Sequence, residues 1–356
     1  MAYTTVNNGS LFMNTKLYTG DGNQQNVTGV GFEPNWTWVK QRLGTTDHSE
    51  QDSARGVGKQ LQPNDSSAET SNNNSLVNFI SDGFTVGFGT GDADPKVNLS
   101  GGSYASWNWK AGTAVSGNTG GSGAYKTYTG SVNATAGFSI IKYTGNGTNG
   151  MTIPHHLGAV PKMIMVKRLD ASANWQIYHT SLGATKYIQL NQPSAAATSS
   201  SRWYDVEPTS SVFTLGTDSD VNVNDATFVA YSFSEVSGYS RFNTFYGNNA
   251  VNGTFVYTGF SPAFVMFRKA DTSANWFMMN NKMFPANGVN ASGGDQKYLY
   301  ANTTNNEQGG YGQTDLISNG FKFRSSDGDL NGATRYLYMA FGQTLVGTNT
   351  IPNNAR

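Results

Sequence analysis

The sequence predicts an all-β chain built from three tandem, related β-sandwich units of jelly-roll or lectin-like type. That expectation rests on a set of motifs that occurs three times, on short apolar stretches closed by Gly, Pro, Asn and Asp, and on the scarcity of helical periodicity. Each unit holds about six candidate strands, the pattern of a sandwich or barrel. With anchors roughly a hundred residues apart, the units are too long for solenoid repeats and favour separate sandwiches over one propeller.

Every unit opens on an aromatic residue and a glycine turn: Tyr18-Thr19-Gly20-Asp21-Gly22, Tyr143-Thr144-Gly145-Asn146-Gly147, and the degraded Phe245-Tyr246-Gly247-Asn248. Gly beside Asp or Asn accepts positive φ at little steric cost, so these read as hairpin turns. Gly-x-x-Pro and a basic residue follow, as Gly31, Pro34 and Lys40, then Gly158, Pro161 and Lys167, then Gly259, Pro262 and Arg268. The residues between are apolar or aromatic in all three, which predicts a buried strand entered through a Gly/Pro turn. The cation at its end is expected to snorkel outward.

Units two and three next share Asp170-Ala171-Ser172-Ala173-Asn174-Trp175 and Asp271-Thr272-Ser273-Ala274-Asn275-Trp276, whereas unit one has His48 in the tryptophan's place. Trp175 and Trp276 alternate with Ile177 and Met278 and read as core. A Lys-x-x-x-x-Asn motif comes next, from Lys59 to Asn64, Lys186 to Asn191 and Lys297 to Asn302. Then stand Asp82-Gly83-Phe84-Thr85, Ser211-Val212-Phe213-Thr214 and Asn319-Gly320-Phe321-Lys322, an Asp-x-Asp loop, and an aromatic closing strand at 104–109, 228–233 and 336–341. The only passable helix candidates, 74–80 and 181–185, are short. The resulting division is unit one over 1–110, a Gly/Ser/Thr-rich linker over 111–137 with room for one extra strand, unit two over 138–236, and unit three with a short C-terminal tail over 237–356.

Lys plus Arg and Asp plus Glu number 23 each, and charged residues are 13% of the chain, against about 25% in ordinary soluble proteins. A neutral chain lacks the basic surface of a nucleic-acid binder. With no cysteine, disulfides, thiolate zinc sites and cysteine nucleophiles are excluded. Aromatics at 13% argue for a packed core. No apolar run approaches the length of a membrane span, and the first residues carry no secretion signal.

The Tyr-Thr-Gly-Asn-Gly opening, the Gly-x-x-Pro strands, the Asp-Gly-Phe-Thr turn and the closing aromatic strand before a tail ending in Ala355-Arg356 together resemble a repeat family of phage virion proteins. Its members occur in marine and cyanobacterial tailed phages and carry tail-fibre or general structural labels. The resemblance runs from about Lys16 to Arg356. It implies an exposed virion component and brings no catalytic residues.

The residues themselves offer little chemistry. Four histidines, His48, His155, His156 and His179, have no Gly-x-Ser-x-Gly elbow to serve, and the adjacent pair points to opposite faces of an extended chain. No catalytic and no cofactor-binding residues are expected. The Asp-x-Asp loops are Asp92/Asp94, Asp218/Asp220 and Asp327/Asp329. The third continues through Leu330, Asn331 and Gly332 and makes Asp327, Asp329 and Asn331 candidate calcium ligands. Tyr338 stands where a bidentate Glu would complete that loop, which favours a turn whose aspartates accept backbone hydrogen bonds. Trp203 and Tyr204, lacking counterparts, are the candidate surface contacts.

The expectation is a non-enzymatic virion surface protein, a tail-fibre or receptor-binding component for host attachment. A capsid-exterior decoration protein is the alternative, and a polysaccharide-degrading tailspike, which needs two carboxylates facing a cleft, is the weaker one. Expected partners are other virion proteins and a host cell-surface glycan or protein, without nucleic acid or membrane insertion, in a homo-oligomer such as a trimer. The absence of heptads or shaft repeats favours a compact body.

Overall fold

The computed structural model of the chain describes residues 4–87, 94–283, 297–309 and 314–342. The chain is all-β, with antiparallel sheets and two four-residue helices, Ser200–Trp203 and Gly328–Asn331. No described helix is long and apolar enough to cross a membrane.

Three large sheets share one strand order. In the first it is Met13–Thr19, Ser103–Trp109, Trp36–Gln41, Ser49–Asp52. The third runs Ser240–Tyr246, Arg335–Gly342, Pro262–Lys269, Phe277–Asn280, then Lys297–Tyr300 and Gln308–Gly309. The second runs Phe138–Thr144, Thr227–Ser234, Pro161–Arg168, Gln176–His179, Lys186–Gln189, Ala197–Thr198. It is extended on the Phe138–Thr144 side by Thr127–Asn133 and Thr113–Asn118. The expected linker at 111–137 is therefore corrected: most of it is ordered sheet. Its Gly, Ser and Thr content reflects an exposed edge hairpin, in which Val132 and Tyr128 are among the few buried side chains. Both helix candidates are corrected too. Leu76–Ile80 is a strand and 181–185 a turn.

Each large sheet packs on a small three-stranded one to make a sandwich. The small sheets are Gln25–Thr28, Gly83–Val86 and Leu76–Ile80; Gly120–Gly121, Met151–Pro154 and Val212–Leu215; and Phe255–Tyr257, Gly320–Phe323 and Thr314–Ile317. The strand after Gly-x-x-Pro is apolar on both faces because both are buried. Met163 and Met165 face a core shared by all three sandwiches, while Ile164 and Val166 face the unit's own. Phe264 and Met266 alternate with Val265 and Phe267 in the same way, and Trp36 and Trp38 with Val39.

The sandwiches close into a ring around that shared core. Trp175 Nε1 donates to Gln62 O at 3.0 Å and Trp276 Nε1 to Gln189 O at 3.0 Å, while His48 Nε2 meets Thr303 O at 3.1 Å. Unit two thus leans on unit one, unit three on two, and unit one on three. Backbone bonds run along the same seams: Glu69 N to Leu169 O, Ala196 N to Ala270 O, and Glu307 N to Arg42 O. The Asn of each Lys-x-x-x-x-Asn motif accepts the N–H of the ring residue, Asn64 from His48, Asn191 from Trp175 and Asn302 from Trp276.

The recurrent cations do not snorkel outward. Lys40 Nζ donates to Gln41 O and Gly44 O, and Lys167 Nζ to Arg168 O. Arg268 donates to the carbonyls of Gln189, Gln192, Pro193 and Ser194 across the seam with unit two. Burial lowers Lys40 and Lys167 to about 8 and Arg268 to about 9. All three residues are buried, and backbone oxygens replace water as partners, within the same unit for Lys40 and Lys167 and across the seam for Arg268.

Candidate functional site

The three candidate calcium ligands do not converge. Asp327 caps the helix Gly328–Asn331, accepting from Asp329 N at 2.8 Å and Leu330 N at 3.2 Å. Asp329 pairs with Lys269 Nζ at 2.7 Å. Asn331 is buried, its Oδ1 accepting from Asn248 N and its Nδ2 donating to Asn248 Oδ1, Ala250 O and Ser325 O. A calcium ion needs six or more oxygens aimed at one point. The loop is a turn, and the calcium expectation is corrected. Among the described residues no group of three His, Asp or Glu side chains is placed to hold a metal ion.

Asn331 instead ties down the glycine turn that opens its unit. Asn222 does the same, accepting from Asn146 N and Gly147 N and donating to Thr148 O and Gly216 O. In unit one Asn98 accepts from Asp21 N at 3.1 Å. The signal in the sequence is Asp-x-x-x-Asn, at Asp94/Asn98, Asp218/Asn222 and Asp327/Asn331, rather than Asp-x-Asp. Asp92 lies outside the described residues. Asp218 pairs with Arg202, and Asp220 accepts from Gln176 Nε2 at 2.6 Å.

Trp203 is corrected from surface contact to core. It is 2% exposed and meets Tyr178 edge-on with centroids 6.0 Å apart. Tyr204 is 44% exposed and ends the helix in the left-handed region at φ 54°. His155 is buried against Thr209 O while His156 meets Tyr128 Oη at 2.9 Å, so the pair diverges. His48 is buried, and Trp38 Nε1 donates to its Nδ1 at 2.8 Å. Burial and, next, Lys40 lower it to about 3.

A buried acidic cluster lies at the seam of units one and two. Tyr231 Oη donates to Asp52 Oδ2 at 2.7 Å, Arg55 Nε pairs with the same oxygen at 2.5 Å, and Arg55 Nη1 reaches Glu69 Oε2 at 3.1 Å. Glu50 is fully buried beside them, and neither of its carboxyl oxygens has a hydrogen-bond partner. Burial raises its pKa well above the ordinary range, with Arg55 opposing the shift. Glu50 lies across from Trp38 as Ile177 does from Met165 and Met278 from Met266, so two units place apolar core where the first places an acid.

The surface feature that sets one unit apart is an aromatic edge. Phe255–Tyr257 is the free edge strand of its small sheet, with Val256 buried opposite Phe321. Val27 and Ile153 hold the same place opposite Phe84 and Phe213. The flanking outward residues are Asn26 and Thr28 in unit one, and Thr152 and Pro154 in unit two, where Gly120 pairs with Thr152 and covers the edge. In unit three they are Phe255 and Tyr257, 42% and 55% exposed. Tyr246 is 65% exposed nearby, its carbonyl accepting from Thr254 Oγ1 at 2.7 Å.

Tyr257 forms one wall of a cleft of about 110 Å³ lined by Glu235, Ser237, Ser240, Arg241 and Thr258. Glu235 Oε1 and Arg241 Nη1 are 3.5 Å apart, so a paired carboxylate and guanidinium share the cleft with one aromatic residue. Periodicity gave no warning of this site. Its signal is a mismatch, an aromatic-Val-aromatic triplet where the other units have Asn26-Val27-Thr28 and Thr152-Ile153-Pro154.

The family described as Domain of unknown function (DUF7483) matches residues 8–344. No curated protein and no solved structure matches the chain.

Proposed function

The chain belongs to the DUF7483 family, whose match takes in the sandwiches of all three units, and from this architecture we propose that it is a non-enzymatic virion surface protein, a tail-fibre or receptor-binding component that attaches a particle to its host. The observation that carries the reading is the aromatic edge of unit three: Tyr246, Phe255 and Tyr257 are exposed together, at positions that the other units fill with polar or small residues. Aromatic side chains with a polar tip supply large contact area at low entropic cost. The chain as a whole carries no net charge and is rich in Asn, Ser and Thr, which suits contacts made by shape and hydrogen bonding.

A second reading is a decoration protein on the capsid exterior. It is favoured by the compact ring and by the lack, among the described residues, of any helix longer than four residues to form a shaft. Antibody raised against the chain and imaged on particles separates the two. Label on the tail is expected, and label over the head would replace the first reading with the second.

A further inference from the structure

We propose that the cleft beside the strand Phe255–Tyr257 binds a neutral, hydroxyl-rich polysaccharide, with Tyr257 and Phe255 as its stacking platform and Glu235 and Arg241 as its hydroxyl partners. The inference rests on the attachment reading and names its ligand class. The fold does not call for rings here, because the matching outward positions hold Asn26 and Thr28 in one sandwich and Thr152 and Pro154 in another. Nor does core packing, since Phe255 and Tyr257 are 42% and 55% exposed.

Residues two apart on a strand are about 7 Å apart and share a face. Two rings so placed can meet neighbouring sugars of one extended chain. The Phe255 ring also lies against Gly320, which fixes it close to the sheet. A ring held against the sheet loses less side-chain entropy on binding than a free one. Beside them a carboxylate offers only acceptors and a guanidinium only donors, and a sugar hydroxyl can use both.

Charge selects among sugars. Arg241 is paired with Glu235, and it also bonds the buried Tyr338, so among the described residues the cleft carries no free cation for a uronate or sialate. At 110 Å³ it is well below the roughly 300 Å³ at which sites begin to enclose a small molecule. It therefore suits one ring of a polymer lying along the surface.

The test is affinity electrophoresis of the full chain in native gels cast with a neutral β-glucan, a neutral α-mannan or polygalacturonate. Retardation in at least one neutral gel and none in polygalacturonate is expected. The double variant Phe255→Asn with Tyr257→Thr installs the residues that unit one already carries, so it leaves the sandwich intact. It should weaken the dissociation constant at least tenfold, and Glu235→Gln alone severalfold, with melting temperature unchanged. Retardation that survives the double variant, or that appears only in polygalacturonate, would overturn the proposal, as would no retardation in any gel. Antibody that labels particles and blocks adsorption while the gels stay negative would sink the cleft and leave attachment standing. Particles that carry no label would remove the attachment reading itself.

Discussion

Glu50 is a carboxylic acid sealed from water without a hydrogen-bond partner for its carboxyl group, and burial, against the opposing charge of Arg55, decides its protonation. The folded chain holds a proton there that the unfolded chain releases near pH 4.5. The contribution is thus present in acid and is lost as pH rises through the folded value. The stability of the native chain relative to Glu50→Gln should fall as pH rises above about 4.5, the value at which the unfolded chain releases the proton, as urea titrations at several pH values would read. A flat difference would mean that the acid is ionised in place. Glu50→Ile, the residue unit two uses at the matching site, should stabilise by about 1–3 kcal/mol by removing an unpaired buried polar group. His48 acts in the other direction. Its Nδ1 accepts from Trp38, so the hydrogen is on Nε2 facing Thr303 O, and a second proton would set two donors face to face. Its folded pKa of about 3, with His155 and His179 at about 4, makes stability fall as pH drops below about 6.5.

At the scale of elements, the seam asparagines show how a motif becomes a contact. Asn191 accepts the Trp175 N–H and donates to Asn174 Oδ1, and Asn302 does the same with Trp276 and Asn275. Asn191→Ala and Asn302→Ala should each cost about 1–3 kcal/mol, because a buried N–H loses its acceptor. Chemical denaturation would show it, and an unchanged midpoint in both would mean that water takes the amide's place. Arg268→Lys should cost a similar amount, since one ammonium cannot reach four carbonyls spread over Gln189 to Ser194. These elements were legible in the sequence. Strands after Gly-x-x-Pro announce themselves by runs of apolar and aromatic residues, broken only by Thr37 in the first, and Trp175 and Trp276 read as core from alternation alone. The hairpin at 113–133 did not, because an edge exposed on most of its surface needs few apolar residues and looks like linker. Trp203 misled because a four-residue helix surrounded by Ser and Asp hides one buried ring. Asp327 and Asp329 misled because their spacing suits metal and caps alike, and only geometry separates the two.

For the molecule as a whole, the ring couples the units. Each sandwich is held by two seams and shares one core with the others, so none can open alone without exposing Trp, Phe and Met side chains worth roughly 1.5–3 kcal/mol apiece. Tryptophan fluorescence and far-ultraviolet circular dichroism should therefore report one coincident unfolding transition. Separate transitions would mean that the sandwiches are independent. Such a ring could in principle be assembled from three identical chains, but a single chain can do something they cannot. Identity would place every feature on the molecule three times over: three copies of Glu50, where the matching sites of the other units hold Ile177 and Met278, and three aromatic edges, where the other units hold Asn26 and Thr28 or Thr152 and Pro154. Joining the units covalently makes their positions addressable. One lobe is free to carry an adhesive edge, and another a buried acid, while the remaining copies keep the packing that holds the ring closed.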